Sequence, residues 1–168
     1  YMTALGLPLG LTLAFFLALA LNASVKGQSF FRTAFYLPSI VPVVATSILW
    51  VWILNPEYGL VNAFLRRIGL EGPGWLTDPN WSKPALILTG LWGVGGTMII
   101  FLAGLQQIPS ALYEAALVDG AGRRQRLLHV TIPSITPVIY FNLIMGIIGS
   151  FQYFTQVFVM TGGGASGR

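Results

Sequence analysis

Cysteine is absent from the 168 residues, which excludes a disulfide scaffold and a thiolate-held metal. Histidine occurs once, His129 beside three arginines, so neither an imidazole metal cluster nor a Ser-His-Asp triad has the residues to be built from. No Gly-Lys-Ser/Thr follows a glycine-rich stretch, so the phosphate cradle of a nucleotide hydrolase is missing. Charge is scarce as well: nine Lys and Arg with five Asp and Glu make up 8% of the chain, against about 25% in an ordinary soluble domain. Too few charges remain to cover the surface of a soluble fold. The runs 1–25, 33–56, 84–113 and 130–167 hold no charged residue at all, so the intramembrane carboxylates and cations of proton- or sodium-coupled carriers are lacking too. No catalytic residue, no metal ligand set and no cofactor of this chain's own is expected.

Apolar residues, by contrast, make up 55%, which rules out disorder and leaves a membrane protein. Each charge-free run exceeds the ~20 residues that cross a hydrocarbon core. Because lipid offers backbone groups no partner, each crossing is helical. The fold class is therefore all-α integral membrane, a polytopic helical bundle with four spans in this piece: span a over 3–22, b over 38–54, c over 85–105 and d over 134–157. Span a has no basic residue before it and is longer than a signal-peptide core. The net charge of +4 is confined to short flanking segments, so it speaks for a lipid bilayer rather than for nucleic acid. The sequence opens on Tyr1 and ends in Thr161 to Arg168, TGGGASGR, which suggests an excerpt of a longer protein.

Between spans b and c, the loop 55–83 is long enough for a helix lying in the interface, with Leu60, Val61, Phe64, Leu65 and Ile68 on one face opposite Asn62, Arg66 and Arg67. Trp75 and Trp81 fit headgroup anchors beyond the break Gly72-Pro73-Gly74. The a/b and c/d loops carry Lys26, Arg32, Arg123, Arg124 and Arg126 against Arg66, Arg67 and Lys83 in the b/c loop, a weak positive-inside bias. LPSIVPVV at 37–44 echoes IPSITPVI at 132–139, which suggests that spans b and d begin in the same way, with proline tolerated at a helix start.

The segment 108–133, IPSALYEAALVDGAGRRQRLLHVTIP, reads as two short helices with a bend. Pro109 starts the first, Asp119-Gly120 stops it because glycine accepts the left-handed cap, and Arg123 begins the second. Ala111, Ala115 and Val118 share a face with Leu112 beside it, and small residues there let another backbone approach. Glu114-Ala115-Ala116, three residues, Gly120, nine residues, then Val130-Thr131-Ile132-Pro133 closely resembles the EAA loop of ABC-importer permeases, whose pattern is Glu-Ala-Ala, three residues, Gly, nine residues, Ile-x-Leu-Pro. Only Val130 and Ile132 depart from it, both conservatively. Phe31-Arg32-Thr33 with Leu37-Pro38, Asn55 to Asn62, Phe101 to Gln106 and Thr161 to Gly164 extend the resemblance to the carbohydrate-type branch of the type I (MetI-like) binding-protein-dependent permeases over essentially the whole chain.

The resemblance implies a multi-pass cell-membrane subunit of roughly six spans, the outer ones absent here. Its implied partners are a second permease subunit, two cytoplasmic ATPase subunits that carry ATP and Mg, and an extracytoplasmic solute-binding protein. The EAA loop would be cytoplasmic. Glu114, Ala115, Ala116, Asp119, Gly120 and Leu112 would couple the chain to an ATPase, the small face and Leu112 seating in its cleft and Glu114 pairing with a base there.

For the cargo, Asn142, Gly146, Gly149, Tyr153, Gln156 and Gln152 fall toward one side of span d at ~100° per residue. Asn142, Gln152, Tyr153 and Gln156 thus offer hydrogen bonds either to a sugar or to a neighbouring helix. Gly90, Gly93, Gly95 and Gly96 crowd span c, either for close packing or as a hinge. Absence of an intramembrane cation favours a neutral cargo over a phosphorylated one; a polyol or glycerol phosphate permease and a non-transporting scaffold that recruits an ATPase are the alternatives.

Overall fold

The computed structural model describes residues 2–23 and 27–162; Lys26 and the expectations for Gly163, Gly164 and Arg168 lie outside them. Every element among the described residues is helical. Helix α1, Leu7–Asn22, continues a π turn at Met2–Gly6, and together Thr3–Asn22 gives 20 apolar residues, about 30 Å at 1.5 Å per residue. By length and composition this helix is a candidate span over the residues expected for span a. Being apolar all round, it has no stripe to direct its packing, and residue size decides instead. The small Ala14 and Ala18 are fully buried, with Leu21. They let α6, Gly95–Gln106, approach and present Met98, Phe101, Leu102 and Leu105. Phe15 and Phe101 meet edge to face at 5.7 Å. The long helix α8, Arg123–Phe151, closes this core with Ile135; a Cβ on Gly104 would stand 2.9 Å from Val138, so glycine sets that approach.

A second core joins α3 (Val43–Ile53), α5 (Pro79–Trp92) and α9 (Phe154–Thr161) through Leu54, Ala85, Leu86 and Met160. Trp50 and Trp92 add an edge contact at 5.9 Å.

Three spans depart from unbroken helices. Span b is two helices, α2 over Gln28–Ile40 and α3, meeting at 97°. Pro38 lies inside α2, and Val41 is extended (φ −69°, ψ 132°) because Pro42 disfavours helix in the residue before it. Span c breaks between α5 and α6 with a 48° bend. Span d reaches back to Arg123 and ends at Phe151, with α9 starting at Phe154 after a turn. The echo between 37–44 and 132–139 therefore carries no shared geometry. Ile135 and Val138 are docked on α6 and hold 132–139 in one straight helix, whereas 37–45 is almost wholly exposed and nothing opposes the break.

In the 55–83 loop, α4 (Leu60–Arg67) forms as expected but its faces are sorted differently. Leu60, Phe64 and Ile68 point outward, Val61 packs on the second core, and Asn62 is the buried residue. Asn62 Oδ1 accepts from Trp75 Nε1 at 2.7 Å, and its Nδ2 donates to the Pro56 and Pro73 carbonyls at 3.1 and 3.2 Å. Trp75 thus braces the loop, stacked edge-on against Trp81 at 5.2 Å. Gly72 must be glycine, since a Cβ would lie 2.0 Å from Asn62 Oδ1. Asn62→Leu strands the Trp75 donor and two carbonyls, a loss of about 1–3 kcal/mol. A lower melting temperature of the purified protein is the expected outcome, and an unchanged one would show that the brace is idle.

Candidate functional site: an exposed helix knob and a cavity between helices

The first region lies beyond α6. Pro109 is extended (φ −60°, ψ 133°) and stands just before α7, Ser110–Val118, rather than inside it. At the other end Gly120 has φ +75°, with its N–H on the Leu117 carbonyl (3.0 Å) and the Ala121 N–H on the Ala116 carbonyl (2.8 Å). These paired bonds make a Schellman stop, which needs a left-handed residue at Gly120. A Cβ there would meet nothing within 4 Å, so the demand is on the backbone alone.

Around this helix the residues expected from the resemblance to couple to an ATPase lie at the surface. Leu112, Glu114, Ala115 and Asp119 are exposed and Ala116 is half-buried. Val118, which no core covers, is 89% exposed. What fastens the knob to the membrane part is a contact the sequence did not disclose: Tyr113 Oη lies 3.0 Å from Thr131 Oγ1. Thr131 sends its own proton to the Arg126 carbonyl at 3.4 Å, so the phenol donates. The only signal in the sequence was a lone phenol beside Glu114 in a helix whose other residues are small or aliphatic.

The second half of 108–133 is not a separate helix. From Gly122, whose N–H is capped by Gln125 Oε1 at 2.8 Å, the chain runs into α8 without interruption. Leu127–Thr131 forms a π turn, with the Ile132 N–H bonded to the Leu127 carbonyl. Pro133 explains it: the ring lacks an N–H and would strike the carbonyl four residues back, and a wider turn moves that carbonyl aside. The bend is therefore confined to 119–122, and the chain beyond it continues as one helix to Phe151.

Between α1, the α5/α6 break and α8 lies a cavity of about 550 Å³. Asn142 and Tyr153 line it, with Gly146 and Gly149 between them. Asn142 is buried and donates Nδ2 to the Val138 carbonyl at 3.0 Å, which leaves Oδ1 to accept from a ligand hydroxyl. Tyr153 Oη reaches the Leu86 carbonyl at 3.4 Å. The other two expected residues are elsewhere. Gln152 is exposed, and Gln156 is buried among helices, donating to Thr89 Oγ1 at 3.1 Å. A single helical phase carried through 142–156 places them wrongly, because α8 ends at Phe151 and Gln152 turns the chain (φ −93°, ψ 7°). Thr97 and Ser150, absent from the sequence expectation, add hydroxyls to the wall.

The glycine cluster divides its work by residue. Gly93 ends α5, with its N–H on the Gly90 carbonyl at 3.1 Å, and so makes the break. Gly95 packs: its missing Cβ would sit 2.0 Å from the Phe35 carbonyl oxygen of α2. Gly6 in the π turn and Gly10 of α1 would tolerate a methyl, which would meet Ile87 at 3.5 Å and Val94 at 3.8 Å in ordinary contact. The cavity wall carries no ionisable side chain other than the phenol, and is suited to a neutral molecule that is apolar on its faces and hydroxylated at its edges. Among the described residues no cluster of His, Asp or Glu could hold a metal.

Residues 6–168 match the family described as the binding-protein-dependent transport system inner membrane component. A probable ABC transporter permease protein of Bacillus subtilis, YesP, is 44% identical over 160 residues, which are 94% of this chain and 52% of that protein. The sulfoquinovosyl glycerol transport system permease protein SmoG of Agrobacterium fabrum is 39% identical over 163 residues, 96% of this chain and 53% of that protein. The chain thus spans about half the length of these curated relatives. Among solved structures, that of a bacterial ABC transporter involved in importing the acidic polysaccharide alginate superposes with a TM-score of 0.82 at 32% identity, covering 95% of this chain and 60% of that one.

Proposed function

Since the chain belongs to the binding-protein-dependent transport system inner membrane components, we propose that it is a non-catalytic permease subunit of an ATP-driven importer that carries a sugar. The observation that carries this reading is the exposed α7 knob, stopped by Gly120 and joined by Tyr113–Thr131 to a helix that runs into the membrane. ATP and Mg would be held by two cytoplasmic ATPase subunits, with a second permease and an extracytoplasmic binding protein completing the assembly. Leu112, Glu114, Ala115 and Ala116 would seat in an ATPase cleft, and closure of the ATPases would move α7 and α8 as one lever. The sugar assignment is supported by the amide and hydroxyl groups in the cavity wall and by the carbohydrate cargoes named for the relatives, sulfoquinovosyl glycerol for SmoG and alginate for the solved transporter; both of those cargoes are acidic, so the uncharged wall distinguishes this chain's cavity from what they require.

Two measurements test the reading. In the full importer in native membranes, cysteines replacing Ser110 or Gln125 should react only with cytoplasmic reagents and one replacing Asn80 only from outside; the reverse pattern overturns the orientation and the coupling with it. In proteoliposomes holding the complete complex, Asn142→Leu should lower uptake of the cognate sugar about tenfold, the loss of one ligand hydrogen bond of ~1.4 kcal/mol. Gln152→Leu should leave it unchanged, since Gln152 stands outside the cavity. Equal effects of the two would remove Asn142 from the route.

A further inference from the structure

α7 is held to the rest of the chain at very few points. None of its residues is buried, and none belongs to either hydrophobic core. Its C-terminal half does not rest on α8: Ala116 and Asp119 stand across a recess of about 370 Å³ from Gln125, Arg126 and His129. At both ends the backbone leaves the helical region, at Pro109 (φ −60°, ψ 133°) before the first turn and at Gly120 (φ +75°) after the last. Ile108, packed on the first core, fixes the far side of one joint, and the helix from Arg123 fixes the far side of the other. A short helix carried between two such joints keeps one easy motion, a roll about the line between them.

One contact opposes that roll. Among the described residues, the Tyr113 hydroxyl on Thr131 Oγ1, at 3.0 Å, is the single hydrogen bond from an α7 side chain to another element. Thr131 is a firm end for it. It is buried, it closes the π turn Leu127–Thr131, and its own hydroxyl is tied to the Arg126 carbonyl at 3.4 Å. The phenol stands about 100° around the helix from Leu112, so a tether there sets the direction in which the side carrying Leu112, Ala115 and Asp119 points.

We propose that Tyr113 is a positioning residue for transport, which through Thr131 fixes the roll of α7 and passes a turn of the knob to α8 at its π turn. This role presupposes the reading of α7 as the element that meets an ATPase, while the choice of residue comes from the isolation of α7 and from this one bond. Without the hydroxyl, α7 would follow an ATPase and α8 would stay behind.

The test is a distance between two spin labels in the complete importer in lipid nanodiscs, on cysteines replacing Leu117, 53% exposed on α7, and Tyr140, 64% exposed on α8. It is read without nucleotide and again after trapping with ATP, Mg and vanadate. In the otherwise unaltered protein, and with Thr131→Ser, which keeps a hydroxyl, one narrow distance common to both states is expected. Tyr113→Phe keeps the ring and loses only the hydroxyl; a distribution at least about twofold wider is expected, with its centre shifting on trapping as the released joint turns. Thr131→Val should match it. A distribution in Tyr113→Phe as narrow as in the unaltered protein overturns the proposal. So does one that widens without responding to nucleotide, which a purely structural role would give. Should Tyr113→Phe fail to assemble, the comparison of Thr131→Val with Thr131→Ser decides, and equal distances in those two overturn the proposal. A benzoylphenylalanine replacing Leu112 that yields no ATPase adduct in the same complex would instead overturn the coupling reading itself.

Discussion

Replacing Gly120 by leucine, or reversing Glu114 to lysine, is expected to cut uptake by about tenfold or more, ~1.4 kcal/mol or beyond in coupling, while the membrane part stays folded. At Gly120 the backbone sits at φ +75°, where a side chain with a Cβ costs roughly 1–2 kcal/mol. Since a Cβ there has nothing within 4 Å, the strain is relieved locally by redirecting 119–122 and not by disturbing the cores. The stop of α7 shifts, the Ala121 to Ala116 bond is lost, and a knob docked in an ATPase cleft as proposed would meet it at a wrong angle. Gly120→Asn, which tolerates the left-handed region better than leucine, should retain more uptake. Glu114 is exposed, so its reversal leaves the fold alone and acts only where a partner's base would face it. The measurement is sugar uptake by the reconstituted importer alongside ATPase co-purification and melting temperature. Normal uptake in both variants removes α7 from the coupling role, and a fall in melting temperature that matches the fall in uptake makes the effect one of stability.

Gly95→Ala is expected to be the most damaging small substitution in the membrane, while Gly96→Ala, one residue on, is expected to be silent. The new Cβ at 95 would lie 2.0 Å from the Phe35 carbonyl oxygen and 2.8 Å from the Phe35 carbonyl carbon and the Tyr36 Cα. These are backbone atoms, so no rotamer change admits the methyl; α2 and α6 must part, at about 3 kcal/mol, the upper end of overpacking costs. At 96 the nearest atom is Ser39 Oγ at 4.0 Å. Yield of inserted protein and melting temperature of the two variants decide the matter. Equal behaviour would show that α2 does not rest on α6 as described.

Much of this protein follows from its composition. The charge-free runs are long enough for crossings, and lipid permits only helices, so the all-helical membrane class was legible without coordinates; the helices themselves supply two candidate spans, or four if each bent pair is one. Family membership was legible as well, in the spacing from Glu114 to Pro133, because the glycine stop and its distance from the next span are local features. So were the α7 boundaries to within one residue, since Gly120 and Pro109 act on their own neighbours.

What local sequence could not decide was the straightness of the spans and the sides they show. Nearly identical Leu/Ile-Pro-Ser-Ile motifs break in span b and run straight in span d, because only the second has Ile135 and Val138 anchored on α6. Gln152 and Gln156 left the expected stripe because α8 ends at Phe151, one turn earlier than a uniformly apolar run can indicate. Asn62 turned inward although amphipathic spacing put it out, since Trp75, thirteen residues away, needed an acceptor. In a bilayer the hydrophobic term scarcely distinguishes one apolar face from another. Close contacts at glycine and alanine, and the need of each polar group for a partner, choose the faces instead, and those partners come from other helices of the tertiary structure.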